Sequence, residues 1–333
     1  MTTISDISRR AGVGVGTVSR VLNRSPHVSQ ATRERVLQVI EELEYTPSSV
    51  ARRLSLGRTQ TVAVVVPFLT HPSAVERLRG VVAGVRGSAY DLVVLDVETI
   101  QQRADRLRSL ACGDRADGVI VLSLDPTDED VALLERSGVS AVLVDADHPR
   151  LPRFVIDDVA GGELATTHLL DLGHERIGFV GDLPDGGFGF TSSDDRREGF
   201  RRALASRGLV AAAALARTGP HDRIAAAELA VELLALTPRP TAIFAASDTQ
   251  ALGVLQAATA AGVPVPRELS VIGFDDIDLA SYVGLTTVRQ PLFESGRLGA
   301  EHLLAELQEP TGGAPEVRLP LDLVVRATTG LPA

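Results

Sequence analysis

Apolar residues recur at the spacing of an α-helix in three short stretches within the first 45 residues. Thr3 or Ser5 can cap the first predicted helix, which Gly12-Val13-Gly14 ends. A second helix is predicted from Val15 to Asn23, and Ser29 can cap a third. The positions expected to face inward are Ile4, Ile7, Ala11, Val18, Val21, Leu22, Val36, Leu37, Ile40 and Leu43.

The pattern changes after residue 60, where short apolar runs alternate with amphipathic helical stretches. Continuous apolar strands are typical of a parallel sheet that is covered by helices on both faces. Seven such runs over the remaining length fit two doubly wound halves better than one. The runs are Val62–Val66, Asp91–Val97, Gly118–Leu122, Ala141–Val144, Arg176–Val180, Ala242–Ala245 and Ser270–Phe274.

These patterns predict a small all-α helix-turn-helix head at 1–46, a linker at 47–58 and an α/β body at 59–333. Within the linker, Ser48–Leu56 has a helical pattern but is too short to be stable alone, because isolated helices under about 12–15 residues are marginal in water. The body is expected to contain two doubly wound parallel-sheet subdomains. Their expected bounds are about 59–158 plus 289–320 for the first, and about 159–288 plus 321–333 for the second.

Charge is divided unevenly between the two ends of the chain. The net charge is −10, but residues 1–58 contain nine arginines against five acidic residues. A basic head on an acidic body is typical of a local anion-binding module. A charged helix face that arose by chance gives the same count, so charge alone leaves both interpretations open.

The first two predicted helices, joined by a tight glycine-containing turn, form a helix-turn-helix. In that motif the second helix enters the DNA major groove with its N-terminus first. Arg20 can donate to O6 and N7 of guanine, or can instead bind a phosphate. Serine and threonine in this helix can bind phosphates, although capping and solvation are alternative roles for them. The predicted DNA contacts of the head are Thr3, Val15, Gly16, Thr17, Ser19, Arg20 and Asn23.

Two motifs in the head and linker are Thr17-Val18-Ser19-Arg20-Val21-Leu22-Asn23 and Tyr45-x-Pro47-x-x-x-Ala51-Arg52-x-Leu54. With them, residues 3–58 resemble the head and hinge of the lactose-repressor/galactose-repressor (LacI/GalR) family of transcriptional regulators. The resemblance continues over nearly the whole chain. Its further matches are Asp157, Gly173-His174-x-x-Ile177, Gly199-Phe200, Asp248-x-x-Ala251-x-Gly253, Ser270-Val271-x-Gly273-Phe274-Asp275 and Thr286-Thr287-Val288-x-Gln290-Pro291.

The resemblance implies that Ser48–Leu56 folds as a hinge helix only on operator DNA. It also implies that the hinge helices of a homodimer pair in the minor groove, where Leu54 wedges into the central base step. A marginal helix with Arg52 beside a leucine suits minor-groove bending, whereas an ordinary basic linker is the alternative. For the body, the resemblance implies a fold of the periplasmic-binding-protein-like type.

Polar residues that follow predicted strands are candidates for ligand binding, because ligands bind at the carboxyl ends of strands in such sheets. A carboxylate and a guanidinium flanking an aromatic ring suit a polyhydroxylated ligand, and Asp275, Arg196 and Phe190 can provide them. Capping of the following helix is the alternative role for the aspartates. The family resemblance implies ligand contacts at Ser73, Phe190, Arg196, Asp248 and Asp275. The full predicted set is Ser73, Ser123, Asp125, Phe190, Arg196, Asp248, Asp275 and Gln290.

Catalysis and metal binding lack support in the sequence. The seven histidines are scattered, no lysine is present for a P-loop or a Schiff base, and the lone Cys112 excludes an intrachain disulfide. We therefore expect no enzyme activity, no cofactor and no metal. No stretch reaches the ~18 apolar residues of a membrane span, and residues 1–30 lack the apolar core of a signal peptide, so a cytoplasmic protein is expected.

Together these features predict a repressor whose homodimer binds a near-palindromic operator and responds to a small-molecule effector, expected to be a sugar or sugar derivative. A solute-binding protein of a transport system is the alternative, since it shares a two-lobed body. It would carry an export signal and no basic head. An enzyme on a doubly wound fold would need a nucleophile–base pair or a cofactor loop, and neither is found in the sequence.

Overall fold

The computed structural model describes residues 2–22, 25–45, 58–111, 115–183 and 188–333. Asn23, the linker residues Arg52 and Leu54, and Cys112 lie outside these ranges. The chain divides into two compact units, Met1–Gln60 and Thr61–Ala333. Each unit has a hydrophobic core of its own.

The first unit contains three helices: α1 (Ile4–Ala11), α2 (Val15–Leu22) and α3 (Gln30–Glu42). Thr3 caps α1 by accepting the backbone N–H of Asp6. Gly12 ends that helix at a φ of +65°, in the left-handed region that glycine adopts without strain. The three helices agree with those expected from the apolar spacing.

The core of the first unit is centred on Ile7, Val18 and Val36, which are fully buried. One position expected to face inward does not, since Leu37 is 48% exposed. Val39 takes its place in the core, because a residue three positions after Val36 lies on the same helix face while the next residue is turned by about 100°.

The second unit contains two six-stranded sheets. In the first sheet every pair of described strands is parallel. Its strands are β1 (Thr61–Pro67), β2 (Asp91–Val97), β3 (Gly118–Leu122), β4 (Ser140–Val144), β5 (Arg153–Val155) and β11 (Glu316–Arg318). Their order in the sheet is β11-β5-β4-β3-β1-β2.

The strands of the second sheet are β6 (Ile177–Asp182), β7 (Ala216–Gly219), β8 (Ala242–Ala245), β9 (Ser270–Asp275), β10 (Thr286–Arg289) and β12 (Asp322–Val324). Their order is β12-β10-β9-β8-β6-β7, and only the pair formed by β12 and β10 is antiparallel among the described strands.

Helices cover both faces of each sheet. Along β1, Ala63 and Val65 join one core cluster while Val62, Val64 and Val66 join another on the opposite face, which explains why the run is apolar throughout. The helices are α4 (Pro72–Val85), α5 (Ile100–Ala111), α6 (Asp128–Ser137), α7 (Asp158–Asp171), α8 (Ser192–Ser206), α9 (Arg223–Leu234), α10 (Asp248–Ala260), α11 (Asp278–Tyr282) and α12 (Leu292–Gln308). The predicted fold class, an all-α head on a body of two parallel-sheet subdomains, is confirmed.

The chain crosses between the two sheets three times: after β5, after β10 and after β11. The crossing after β10 contains Gln290 and leads into α12, which packs against α4 of the first subdomain. Close packing of these two helices requires glycine, because a Cβ at Gly80 would overlap the carbonyl oxygen of Phe293 and one at Gly296 would overlap that of Arg77. This contact brings Arg77 on α4 next to Gln290.

Candidate nucleic-acid interface and effector cleft

The outer face of α2 presents an accessible surface. Val15 is 44% exposed, and Gly16 and Arg20 are exposed. Thr17 and Ser19 are half-buried, whereas the inner face of the helix is closed by Val18. The helix therefore offers the residues that the sequence predicts for base and phosphate contacts on one outward surface.

The side chain of Thr3, another predicted DNA contact, has local partners within the head. Its hydroxyl accepts the Asp6 N–H at 3.3 Å and donates to the Asp6 carboxylate at 2.7 Å. The same carboxylate accepts the backbone N–H of Thr3 at 3.0 Å. This reciprocal capping arrangement gives Thr3 a structural role at the start of α1.

A cavity of about 480 Å³ lies between the two subdomains of the second unit. Both walls supply polar side chains to it, so it forms a cleft in which ligand contacts can come from both subdomains. We call it the effector cleft. Six of the eight predicted ligand residues line it: Ser73, Ser123, Phe190, Arg196, Asp275 and Gln290.

The two remaining predicted ligand residues lie elsewhere. Asp248 is fully buried, where it accepts the Ile277 N–H at 2.9 Å and the Thr287 hydroxyl at 2.6 Å, so the structure does not bring it into the cleft. Asp125 lines a neighbouring cavity of about 290 Å³ and accepts the Asp147 N–H at 2.6 Å.

Arg196 is held at the base of the cleft by four contacts. Its Nε donates to Asp158 at 2.7 Å and its Nη1 donates to the carbonyl oxygen of Ala246 at 2.7 Å. Nη1 also lies 3.7 Å from Asp275, and the guanidinium lies 3.7 Å from the centre of the Phe274 ring. The side chain is only 7% exposed, so its orientation is set before any ligand arrives.

A chain of polar contacts, which we call the cleft-floor chain, joins the two subdomains below the cavity. Gln290 donates to Asp275 at 2.5 Å and accepts from Nη2 of Arg77 at 2.8 Å. The same Nη2 lies 2.8 Å from Asp145, which also accepts the Ser123 hydroxyl at 2.7 Å. Polar groups of both subdomains therefore form one continuous network.

Sequence reasoning did not single out Arg77, although a signal was available. It occupies the inner face of α4, where Ala74, Gly80 and Val81 are also buried. An arginine on the apolar face of a helix requires a buried partner, since a fully desolvated charge is costly unless it is paired. Here the partner is Asp145, which lies just after the end of β4.

Burial changes the proton affinity of the carboxyl groups around Arg196. Desolvation raises the pKa of Asp158 to about 6, although Arg196 opposes the change. Burial likewise raises the pKa of Asp275, with Arg196 and Gln290 acting in the opposite direction. Burial disfavours the charged form of Arg196 as well, but the neighbouring carboxylates outweigh it and raise the pKa of the guanidinium, which stays protonated.

Aromatic side chains form one end of the cleft. Phe188 and Phe190 stack in parallel with 5.2 Å between ring centres, and Phe68 lies 5.6 Å from Phe188. His71 of the first subdomain stacks on Phe68 and lies 5.1 Å from His221 of the second. The cleft thus combines a charged base with an aromatic rim, which suits a ligand that has both hydroxyl groups and apolar faces.

Among the described residues, no helix combines the length and the apolar character needed to cross a bilayer. Across the same ranges, no three or more histidine, cysteine or acidic side chains come together in a way that would hold a metal ion.

Comparisons with known proteins match both units. The family described as bacterial regulatory proteins, lacI family, matches residues 3–48, and a periplasmic binding protein-like domain matches residues 166–329. The HTH-type transcriptional repressor PurR of Photobacterium profundum is 33% identical over 98% of each chain. The ribose operon repressor of Escherichia coli is 34% identical over 93% of this chain and 94% of its own.

Solved structures show the same architecture. The lac repressor dimer bound to operator and the anti-inducer ONPF matches with a TM-score of 0.86 and 26% identity over 99% of each chain. A complex of the transcriptional regulator CelR with cellobiose matches with a TM-score of 0.73 and 31% identity, over 98% of this chain and 100% of the other. The resemblance inferred from the sequence is thereby confirmed, and this chain belongs to the lacI family of bacterial regulatory proteins.

Proposed function

We propose that this chain is a transcriptional repressor whose homodimer binds a near-palindromic operator, and that a small carbohydrate in the effector cleft sets its operator affinity. Residues 1–46 bind DNA, residues 47–58 form the hinge, and residues 59–333 bind the effector and dimerise. The activity needs no catalytic step, metal or cofactor. Because its target is DNA, the protein acts in the cytoplasm.

The cleft-floor chain is the observation that carries this proposal. A ligand that bonds to groups on both walls of the cleft binds one arrangement of the subdomains more tightly than the other, so it shifts their equilibrium. In a dimer this shift alters how the two heads and hinges are presented to DNA. Effector and operator affinities are then linked reciprocally.

The charges around the cavity favour an uncharged, polyhydroxylated effector. Its two arginines are each paired with carboxylates, so they attract an anion less than free arginines would. Phe190 can stack on the apolar face of a sugar ring while Asp275 accepts its hydroxyls. The complex of CelR with cellobiose supports this class of ligand. The charged residues that line the cleft are Arg77, Arg196, Asp145, Asp182, Asp194 and Asp275.

A solute-binding protein would share the body and the cleft. It would have no use for an accessible helix such as α2 on a separate N-terminal unit. The relatives that match over nearly the whole chain include the repressor PurR and the ribose operon repressor. The regulatory function therefore accounts for both units, whereas a transport function accounts for one.

Arg20→Ala tests the proposed reading of DNA by α2. We expect operator affinity to fall by about 1–3 kcal/mol and discrimination to weaken at one base pair per half-site, as for loss of a bidentate contact to guanine. The measurement is selection of binding sites from random DNA, followed by titration of the selected operator at fixed salt.

Arg35→Ala is the matched control, because this arginine is also exposed in the head but lies on α3. It should leave the selected sequence unchanged. The same selected sequence for Arg20→Ala and wild type would contradict the base-reading role. Failure of the wild-type chain to select any sequence would contradict the proposed function itself.

Dimerisation is supported by exposed apolar side chains on the body. Val75 and Val82, seven residues apart on one face of α4, are 40% and 45% exposed. Tyr282 at the end of α11 is 77% exposed. The exposed apolar face that Val75 and Val82 give to α4 is typical of a protein–protein interface.

Val82→Asp should weaken the dimer at least tenfold, because a carboxylate buried at an apolar interface lacks a partner. Sedimentation velocity over a concentration series measures the change. Val210→Asp serves as the control, since Val210 is 86% exposed outside α4 and α11. Equal dimer dissociation constants for Val82→Asp and wild type would show that α4 is not part of the dimer interface.

A further inference from the structure

Two histidines meet at the aromatic end of the effector cleft, one from each subdomain. His71 precedes α4, while His221 follows β7. Their ring centres lie 5.1 Å apart with 32° between the ring planes, and both residues line the cavity. This contact exists only when the two walls of the cleft are close together, so it reports on the closure of the subdomains.

We propose that the ring contact between His71 and His221 is a proton-sensitive latch: it holds the cleft closed near neutral pH, and protonation of His71 releases it. The proposal rests on the proposed function, in which closure of this cleft controls operator affinity. The latch adds a second input, because protonation of His71 shifts the same equilibrium between open and closed cleft that the effector shifts.

His221 has a fixed orientation and a high proton affinity. Its Nδ1 lies 2.9 Å from Asp182, whose same carboxylate oxygen accepts from Gln250 at 2.8 Å. Burial opposes protonation of His221, but the hydrogen bond and the charge of Asp182 outweigh it and raise the pKa of the imidazole. Asp275 acts in the same direction and Arg196 in the opposite one.

The pKa of His71 is shifted in the opposite direction to that of His221. Burial and the neighbouring His221 lower the pKa of His71, and the carboxylates of Asp182 and Asp96 offset this only in part. The ring also stacks on Phe68 with 5.2 Å between centres. In the closed cleft, therefore, a neutral His71 packs beside an imidazole that binds a proton more readily.

The direction of the pH effect follows from linkage. Opening the cleft returns His71 to water and away from His221, so its pKa moves back toward the ordinary value of about 6.5. The open form then binds more protons than the closed form in mildly acidic solution. Closure is favoured above about pH 6.5 and is progressively lost as the pH falls below it.

The latch is tested with the full chain carrying Cys112→Ser and one dye on each subdomain, attached at Glu129→Cys and Ser206→Cys. Single-molecule energy transfer measures the ratio of open to closed molecules between pH 7.5 and 5.5, with labelled chains diluted into unlabelled ones. We expect the ratio to rise about three- to tenfold as the pH falls, since each unit of pKa difference changes it by up to about tenfold.

His71→Phe keeps an aromatic ring in the contact but cannot take up a proton, so its ratio should stay within about twofold over the same range. His221→Phe should weaken the response without abolishing it, because burial, the larger cause of the lowered pKa of His71, remains. His302→Gln, which removes a histidine on α12 outside the cleft lining, should keep the wild-type response. A ratio that does not change with pH in the wild-type chain overturns the latch, as does a His71→Phe response equal to that of the wild type.

Different results would contradict the proposed function and the proton-sensitive latch. Operator binding is measured at pH 7.5 on the labelled chains and on the unsubstituted chain. Loss of sequence-specific DNA binding in the unsubstituted chain would contradict the proposed function and leave the pH readout intact. A pH-independent cleft in a chain that binds its operator would contradict only the latch.

Discussion

Asp275→Ala is expected to abolish the response to effector while operator binding persists. Asp275 lies in the wall of the cleft at the end of β9, and its side chain is 8% exposed. Its backbone has a φ of +118°, which a non-glycine residue adopts only when its surroundings enforce it. The orientation of the Asp275 carboxylate is therefore set before a ligand binds.

The expected loss is large because a hydrogen bond to a charged group contributes about 1.5–3 kcal/mol. Loss of two such bonds to vicinal hydroxyls would weaken the effector by at least about a hundredfold. The effector is first found by a thermal-shift screen of free sugars on the wild-type chain. Its dissociation constant is then measured by calorimetry for the variant.

Asp248→Asn is the matched control for this variant, since Asp248 is also a buried carboxyl at the end of the same sheet but does not line the cleft. It should lower the free energy of unfolding, because Ile277 and Thr287 donate to it, and leave effector affinity nearly unchanged. An effector dose response of Asp275→Ala that matches the wild type would exclude Asp275 from the binding site.

Asp248 and Asp275 show which part of the cleft geometry could be predicted from the sequence and which could not. Both aspartates are polar residues at or just after an apolar strand, and this pattern fits a ligand contact and a helix start equally well. The deciding fact is the direction of the side chain. For Asp248 that direction is set by Thr287 and Ile277, which the sequence does not place beside it.

Arg77 was missed for a related reason. Its contact with Gln290 joins residues 213 positions apart, and it depends on how closely α4 and α12 approach. The central strands could be predicted because each is a continuous apolar run. Strands such as β11 could not, because Glu316–Arg318 is three residues long with both ends exposed, and so carries no apolar pattern.

Arg196→Met is expected to destabilise the body by about 3–5 kcal/mol, the cost of removing one partner from a buried ion pair. Methionine fills much of the same volume but donates to none of the groups around it. Asp158 and Asp275 would lose their shared cation, and the carbonyl oxygen of Ala246 would lose its donor. Urea unfolding at a fixed protein concentration measures the change.

The loss of stability caused by Arg196→Met should depend on pH, because the pKa of the neighbouring Asp158 is shifted by burial. The pKa of Asp158 is already raised to about 6 by burial, with Arg196 opposing, so the variant's value must lie higher still. A carboxyl whose folded-state pKa exceeds its unfolded value of about 3.9 loses stability as the pH rises through that folded value. The destabilisation should therefore be larger at pH 8 than at pH 5.

Arg197→Met separates this effect from the loss of any arginine on α8. Arg197 is the adjacent residue, its side chain is 40% exposed, and it pairs with Asp194 three residues earlier. An exposed pair of this kind contributes at most about 1 kcal/mol, so the control should unfold close to wild type at both pH values. If Arg196→Met were no less stable than Arg197→Met at pH 8, the buried guanidinium would not be what holds the base of the cleft together.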